Sequence, residues 1–163
     1  MVKTIFTVDL EDWNDALHIE SNGYSSEESL WFLIKQLRFF RVKAVFYVLD
    51  YFRKNKHLMD TLISDNHEIK SHGRWHRWWE NSDRRPYQWL GLTGGFWFRL
   101  FPLWFIKWQV KKHGMFYIHP HDLDEDHPKL KNPLLNWKRH VGLKQSRFKL
   151  GRLLSEVEFG LPV

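Results

Sequence analysis

Three short runs with strand character, the first and third ending in residues that carry chemistry, constrain this chain more than any other feature. Thr4 to Asp9 alternates, is rich in β-branched residues, and runs into the acidic cluster Asp9-Leu10-Glu11-Asp12-Trp13. Val42 to Leu49, with Ala44-Val45-Phe46-Tyr47-Val48 at its centre, predicts a second and more deeply buried strand. His67 to Ser71 predicts a third, ending at the pair His72 and His76 of the segment Ser71-His72-Gly73-Arg74-Trp75-His76. Between the first two strands, Ser25-Ser26-Glu27-Glu28 offers a serine cap and an acidic first turn ahead of the periodic Leu30, Phe32, Leu33, Ile34, Leu37 and Phe40. Asp50 to Ser64 predicts the helix between the second and third. Strand, helix, strand, helix, strand predicts right-handed parallel units of an α/β fold. In such units ligands gather at the carboxyl ends of the strands, where Asp9, Glu11 and the histidine pair all fall.

From Arg74 to Trp89 no clean period is legible. Gly94-Gly95 then opens an aromatic segment, Phe96 to Lys112, broken by Pro102 and stopped by Lys111-Lys112-His113-Gly114. Met115 to His119 predicts a fourth strand, again ending in a candidate site residue. Leu123 to Leu143 reads as a Pro-rich, basic connection, and Ser146 to Glu156 as a last helix with Phe148, Leu150, Leu153 and Leu154 inward. There is no internal repeat, and residues 1–163 read as a single domain.

Two histidines one helical turn apart can face the same way, and a carboxylate from a neighbouring strand would complete a three-ligand site with a position left for water. With no cysteine in the chain, a transition metal has only His, Asp and Glu to hold it. Asp9 and Glu11, two apart on a strand, share a face, whereas Asp12 turns away or caps the following turn. The bland alternatives are two solvated histidines and a solvated acidic turn, since carboxylates are rarely buried without partners.

The formal charge of +6 and pI near 9.5 suit an anionic partner: acidic polysaccharide, membrane surface or nucleic acid. The excess is spread through the chain, which disfavours nucleic acid. Ten tryptophans stack equally well on sugars, bases and each other. The aromatic segment, with Arg99, Lys107, Lys111 and Lys112 at its edges, has two readings, a helix in a membrane interface near a lipid-linked glycan or core packing against a sheet, and Pro102 favours the second. His121, Asp122 and Asp124 read as residues at the rim of a site or as a polar loop after the fourth strand. No run approaches the roughly 18 apolar residues of a membrane span, and the apolar start is too short for a signal peptide. A cytoplasmic protein, soluble or in peripheral contact with a membrane, is expected.

Thr7-Val8-Asp9-Leu10-Glu11-Asp12-Trp13, then Ser71-His72-Gly73-Arg74-Trp75-His76, then a late strand ending in Ile118-His119-Pro120, taken in that order, resemble the polysaccharide deacetylase family, the NodB-homology domain. The segments from Thr93 to Trp104 and from Phe116 to Asp124 are similar to the exopolysaccharide-biosynthesis branch. The resemblance implies a shortened or incomplete NodB-like (β/α) barrel with a mainly parallel sheet. It also implies a divalent metal, zinc above others, held by Glu11, His72 and His76 with Asp12 in reserve. Asp9 would be the general base and His119 the general acid of a hydrolase removing N-acetyl groups from an amino-sugar polysaccharide or its precursor. Arg85, with Trp13 and Trp75, would meet the substrate. The family has further strands and two further motifs between the histidine pair and the Gly-Gly segment. Arg85-Pro86-Tyr87 reads as a remnant of one or as the lead-in to Gly94, and nothing matches the other, whose Asp orients the catalytic histidine. The alternative is a catalytically impaired, deacetylase-like protein that binds metal or glycan. An uncovered edge beside the third strand would favour either a homodimer through Trp75, Trp78, Trp79 and Trp97 or a monomer with a water-open site and very weak activity.

Overall fold

The computed structural model describes residues 4–11, 25–73, 92–126 and 128–162. Its centre is a sheet in the order β3-β2-β1-β4, made of β1 (Thr4–Leu10), β2 (Ala44–Val48), β3 (Glu68–Ser71) and β4 (Met115–Ile118), with β5 (Phe159–Gly160) also pairing with β1. Every pairing is parallel. The chain is therefore α/β with a parallel sheet, as the alternation of strand and helix patterns predicts.

Register does the positioning. Leu10 lies beside Val48, Val48 beside Ser71, and Val8 beside Ile118. The residues that follow each strand, Glu11, Leu49, His72 and His119, consequently emerge along one edge. Backbone bonds continue the ladder a step further, with the Leu49 N–H donating to Leu10 O (3.4 Å) and the His72 N–H to Val48 O (3.0 Å). Strand side chains alternate between faces. Phe6, Val8 and Leu10 of β1, Ala44, Phe46 and Val48 of β2, and Phe116 and Ile118 of β4 enter one apolar cluster, so Asp9 and Glu11 leave β1 on the opposite face.

Helices cover this sheet, as a parallel sheet requires. In α1 (Glu27–Phe39), Leu30, Leu33, Ile34 and Leu37 are buried, while Phe32 and Phe40 pack at the cluster's margin. Its first turn differs from the expected serine cap: Ser26 makes no side-chain cap bond, and the Glu27 N–H donates instead to Ser25 Oγ at 3.3 Å. The helix expected over Asp50 to Ser64 is split into a 3-10 turn (Phe52–Lys54) and α2 (Lys56–Ser64). Asn55 divides them because its side chain accepts from the Leu58 N–H at 3.1 Å, a cap that restarts the helix.

The second half holds α3 (Gly95–Leu100), α4 (Leu103–His113), a 3-10 turn (Pro120–Leu123), α5 (Pro133–His140) and α6 (Leu143–Glu156). Pro102 separates α3 from α4, and Gly114 ends α4 in the left-handed region at φ 69°. Gly94 lies so close to β4 that a Cβ there would fall 1.6 Å from Tyr117 O; any side chain would push α3 off the sheet. The connection expected from Leu123 to Leu143 contains α5, capped by Asn132, whose side chain accepts from the Leu135 N–H. On α6 the inward residues are Leu143, Ser146, Leu150, Leu153 and Leu154, whereas Phe148, expected inward, is 69% exposed because it sits on the far side of the helix from Leu150. No helix among the described residues is long and apolar enough to cross a membrane.

His67 ties β2 to the turn before β3. Its Nδ1 accepts from the Ala44 N–H at 3.1 Å and its ring packs 5.0 Å from Phe46. Burial, opposed by Asp65 and aided by Lys43 and Arg38, pushes its pKa down to about 4. A folded-state value below the unfolded one means that the unfolded chain takes up the proton first. Stability should therefore be full above pH 6.5 and fall as pH drops from 6.5 toward 4, by at most about 3 kcal/mol from this residue. Denaturant melts at several pH values check this: relative to the His67→Asn chain, the parent should show an extra pH slope in that window of about one proton. Identical slopes would remove His67 from the acid response.

Candidate active site

The carboxyl edge of the sheet gathers four of the side chains singled out in the sequence. Asp9, Glu11 and His72 are buried, at 0%, 2% and 4% exposure, and His119 is partly open. His119 Nε2 lies 3.0 Å from Glu11 Oε1 and 3.6 Å from Asp9 Oδ2. The other oxygen of Glu11, Oε2, lies 3.6 Å from His72 Nε2. Glu11 thus sits between two imidazoles delivered by β3 and β4. Asp12, Trp13, Trp75, His76 and Arg85 lie outside the described residues.

His119 is held from behind, which corrects the expectation that an orienting carboxylate is missing. Asp122, three residues on across the 3-10 turn, accepts at Oδ2 from the His119 backbone N–H (3.1 Å) and lies 3.0 Å from its Nδ1. Its other oxygen accepts from Arg99 Nε at 3.1 Å. Arg99 is 4% exposed, and its remaining donors reach Arg139 O (2.7 Å), Val141 O (3.0 Å) and Lys138 O (3.3 Å), closing the carbonyl end of α5. The same turn is gripped by Arg147, whose Nε donates to Leu123 O at 2.8 Å. A chain of contacts therefore runs from α5 through Arg99 and Asp122 to His119 and Glu11.

Electrostatics follow from this chain. Burial opposes charging of His119, but the Glu11 carboxylate and hydrogen bonds to Asp122 and Glu11 outweigh it and raise the pKa to about 10. As an imidazolium, His119 donates from both nitrogens, Nδ1–H to Asp122 and Nε2–H to Glu11. Burial also works against ionised Asp122, yet the His119 hydrogen bond and the Arg99 charge hold its carboxyl well below the usual range. His121 stacks on His119 with centroids 4.8 Å apart and planes 14° apart. Burial and the neighbouring His119 charge push it down to about 3, so it stays neutral beside Arg139 Nη1 at 3.4 Å.

The donor set fits a metal on the Glu11 side. Zinc bonds of about 2.0 to 2.2 Å place neighbouring tetrahedral ligands roughly 3.4 Å apart, close to the 3.6 Å between Glu11 Oε2 and His72 Nε2. The ligating atoms of His119, His121 and Asp122 also lie within 4.8 Å of one another. That second set suits a cation less well, because Asp122 is already shared by His119 and Arg99 and His121 faces Arg139. The site opens into a cleft lined by Phe96, Tyr117, Lys138 and Arg139 together with Glu11, His119 and Asp122.

Two residues of this arrangement escape sequence reasoning in their present roles. Arg99 reads there as a cation at the rim of an aromatic segment, and Asp122 as a polar loop residue. The available signal was the spacing His119-Pro120-His121-Asp122, which lets a tight turn bring an Asp side chain back onto the histidine it follows.

Residues 84–161 match a family model described as a domain of unknown function, DUF3473. The matched stretch carries Arg99, His119, His121 and Asp122 and leaves out Asp9, Glu11 and His72. No curated protein and no solved structure matches the chain.

Replacing Asp122 with Asn should leave the buried Arg99 guanidinium without its counter-charge and cost about 3 kcal/mol of stability. Equilibrium denaturation of the Asp122→Asn chain checks this. A loss under about 0.5 kcal/mol, the range of ordinary surface changes, would show that the α5 carbonyls alone hold Arg99.

Proposed function

We propose that the protein is a metal-dependent hydrolase that removes N-acetyl groups from an amino-sugar polysaccharide or its precursor. The observation that carries this reading is the meeting of Asp9, Glu11, His72 and His119 from three parallel strands, with His119 oriented by Asp122. Support also comes from the DUF3473 match, a domain found in polysaccharide deacetylase-associated proteins.

Glu11 and His72, with His76, would hold a divalent metal, most readily zinc given a donor set of one carboxylate and two imidazoles. When bound, such a metal acidifies water and polarises an amide carbonyl. Asp9, on the same face of β1 as Glu11, is the general base that takes a proton from water. His119, whose Nε2 points at the two carboxylates, is the general acid that supplies a proton to the departing amine nitrogen. Asp122 keeps that imidazole charged and aimed. Tyr117 offers an apolar wall for a sugar ring, and Arg85, Trp13 and Trp75 remain the proposed further contacts to substrate.

The test is acetate release from chitin oligomers together with metal analysis of the same purified sample. His72→Ala should lose metal and activity together. Asp9→Asn should keep its metal and lose roughly 10² to 10⁴-fold in turnover, because a base and a ligand fail differently. A parent chain that binds zinc and releases no acetate would favour the catalytically impaired metal- or glycan-binding protein. Full turnover in Asp9→Asn would remove Asp9 from the mechanism.

A further inference from the structure

A continuous line of rings runs from the mouth of the His119 cleft across α3 and α4. Trp137 of α5 meets Phe96 edge to face at 6.0 Å, and Phe96 meets Trp97 at 5.0 Å. Trp97 stacks on Phe101 at 5.5 Å with planes 10° apart, and Phe101 meets Phe105 at 4.7 Å. Phe105 in turn touches Trp104 (5.8 Å) and Trp108 (5.7 Å). Core packing explains Ile106, Gln109 and Val110, which are buried, but it leaves Trp104, Trp108 and Trp137 exposed at 68%, 51% and 52%. With roughly 100° between successive helical residues, Trp104, Trp108, Lys111 and Lys112 form one stripe on α4, opposite the buried residues.

Charge along this face has one sign. The segment from Thr93 to Gly114 contains Arg99, Lys107, Lys111 and Lys112 and no Asp or Glu. Lys107 pairs with Glu156 and Arg99 with Asp122, which leaves Lys111 and Lys112 as the outward cations of α4. Lys112 Nζ stands 5.1 Å over the Trp108 ring, and Lys138 Nζ stands 5.4 Å over Phe96 at the other end.

We propose that this face docks on an anionic lipid bilayer, with Trp104, Trp108 and Trp137 in the interface and Lys111, Lys112 and Lys138 against lipid headgroups. Tryptophan rings and lysines beside them are what a helix lying in the membrane interface presents. The described helices being too short and polar to cross, attachment is peripheral. A sugar-stacking track would need open ring faces, and here Trp97 and Phe101 cover each other while lysines cover Phe96 and Trp108. Phe96 and Lys138 also line the cleft, so docking brings its mouth to the membrane. The substrate class is then a glycan attached to the membrane, a clause that rests on the deacetylase reading; the docking surface itself does not.

The test is co-sedimentation of the full chain with vesicles of phosphatidylcholine alone and of a three-to-one mixture with phosphatidylglycerol. The mixed vesicles should retain the protein at low salt and release it as salt rises. Trp104→Ser with Trp108→Ser, and separately Lys111→Glu with Lys112→Glu, should each lower partitioning by about tenfold with unchanged melting temperatures. No partition, or partition equal in parent and both variants, overturns the proposal. So does tryptophan-dependent binding of soluble chitin oligomers without vesicle binding, which would make the ladder a glycan track. Acetate release from the same soluble oligomers separates the two readings: vesicle binding without acetate defeats the hydrolase alone, and acetate without vesicle binding defeats the docking surface alone.

Discussion

The site depends on β1 being paired in parallel on both sides. Parallel pairing with β2 and β4 brings the carboxyl ends of strands far apart in the sequence to one edge, and register then decides which side chains meet. A shift of β1 by one residue would turn Asp9 and Glu11 into the apolar cluster and Leu10 into the site. Burial makes that costly twice over, because two carboxylates would lose their partners while Leu10 lost its packing. The core and the chemistry are therefore specified by the same alternation along one strand.

Charge at the edge is concentrated in a few buried groups. Asp9, Glu11 and Asp122 are buried carboxylates, and against them the immediate surroundings set the Arg99 guanidinium and the His119 imidazolium. Buried charges are tolerated only when paired, hydrogen-bonded or coordinated. Arg99 and the His119 Nδ1–H meet Asp122, while His119 Nε2 faces Glu11 at 3.0 Å and Asp9 at 3.6 Å. In the proposed reaction a divalent metal on Glu11 and His72 would add positive charge beside these carboxylates.

Much of this was legible in the sequence because it rests on local periodicity. The strands β1 to β4, α1 and the shared face of Asp9 and Glu11 follow from alternation and helical spacing, whereas the two-residue β5 is too short to leave a pattern. What escaped depends on contacts that no local window holds. Arg99 is buried by a carboxylate 23 residues away and by carbonyls 39 to 42 residues away, so in a window of aromatic residues it looks like a solvated rim. Phe148 failed the other way, an apolar residue in a helix whose inward stripe was already complete with Leu143, Ser146, Leu150, Leu153 and Leu154. Asn55 broke a helix through a single side-chain cap, an event that sums of propensity do not see.

The division of labour between the two halves explains why the matched domain cannot by itself contain the site. The stretch over 84–161 supplies the imidazole and the groups that hold it from behind: Arg99 on α3, Asp122 in the turn, and the α5 carbonyls. The first half supplies Asp9, Glu11 and His72, the groups that in the proposed reaction would hold a cation and accept a proton. The β1–β4 pairing joins them within a few residues of the chemistry, and the β1–β5 pairing and the Arg147–Glu28 ion pair join them further away. Since α3 also carries Phe96 at the cleft mouth and begins the ring ladder, any force on that ladder acts on the helix that anchors Arg99. Binding at the aromatic face and the setting of His119 are thus mechanically adjacent, linked through one buried guanidinium.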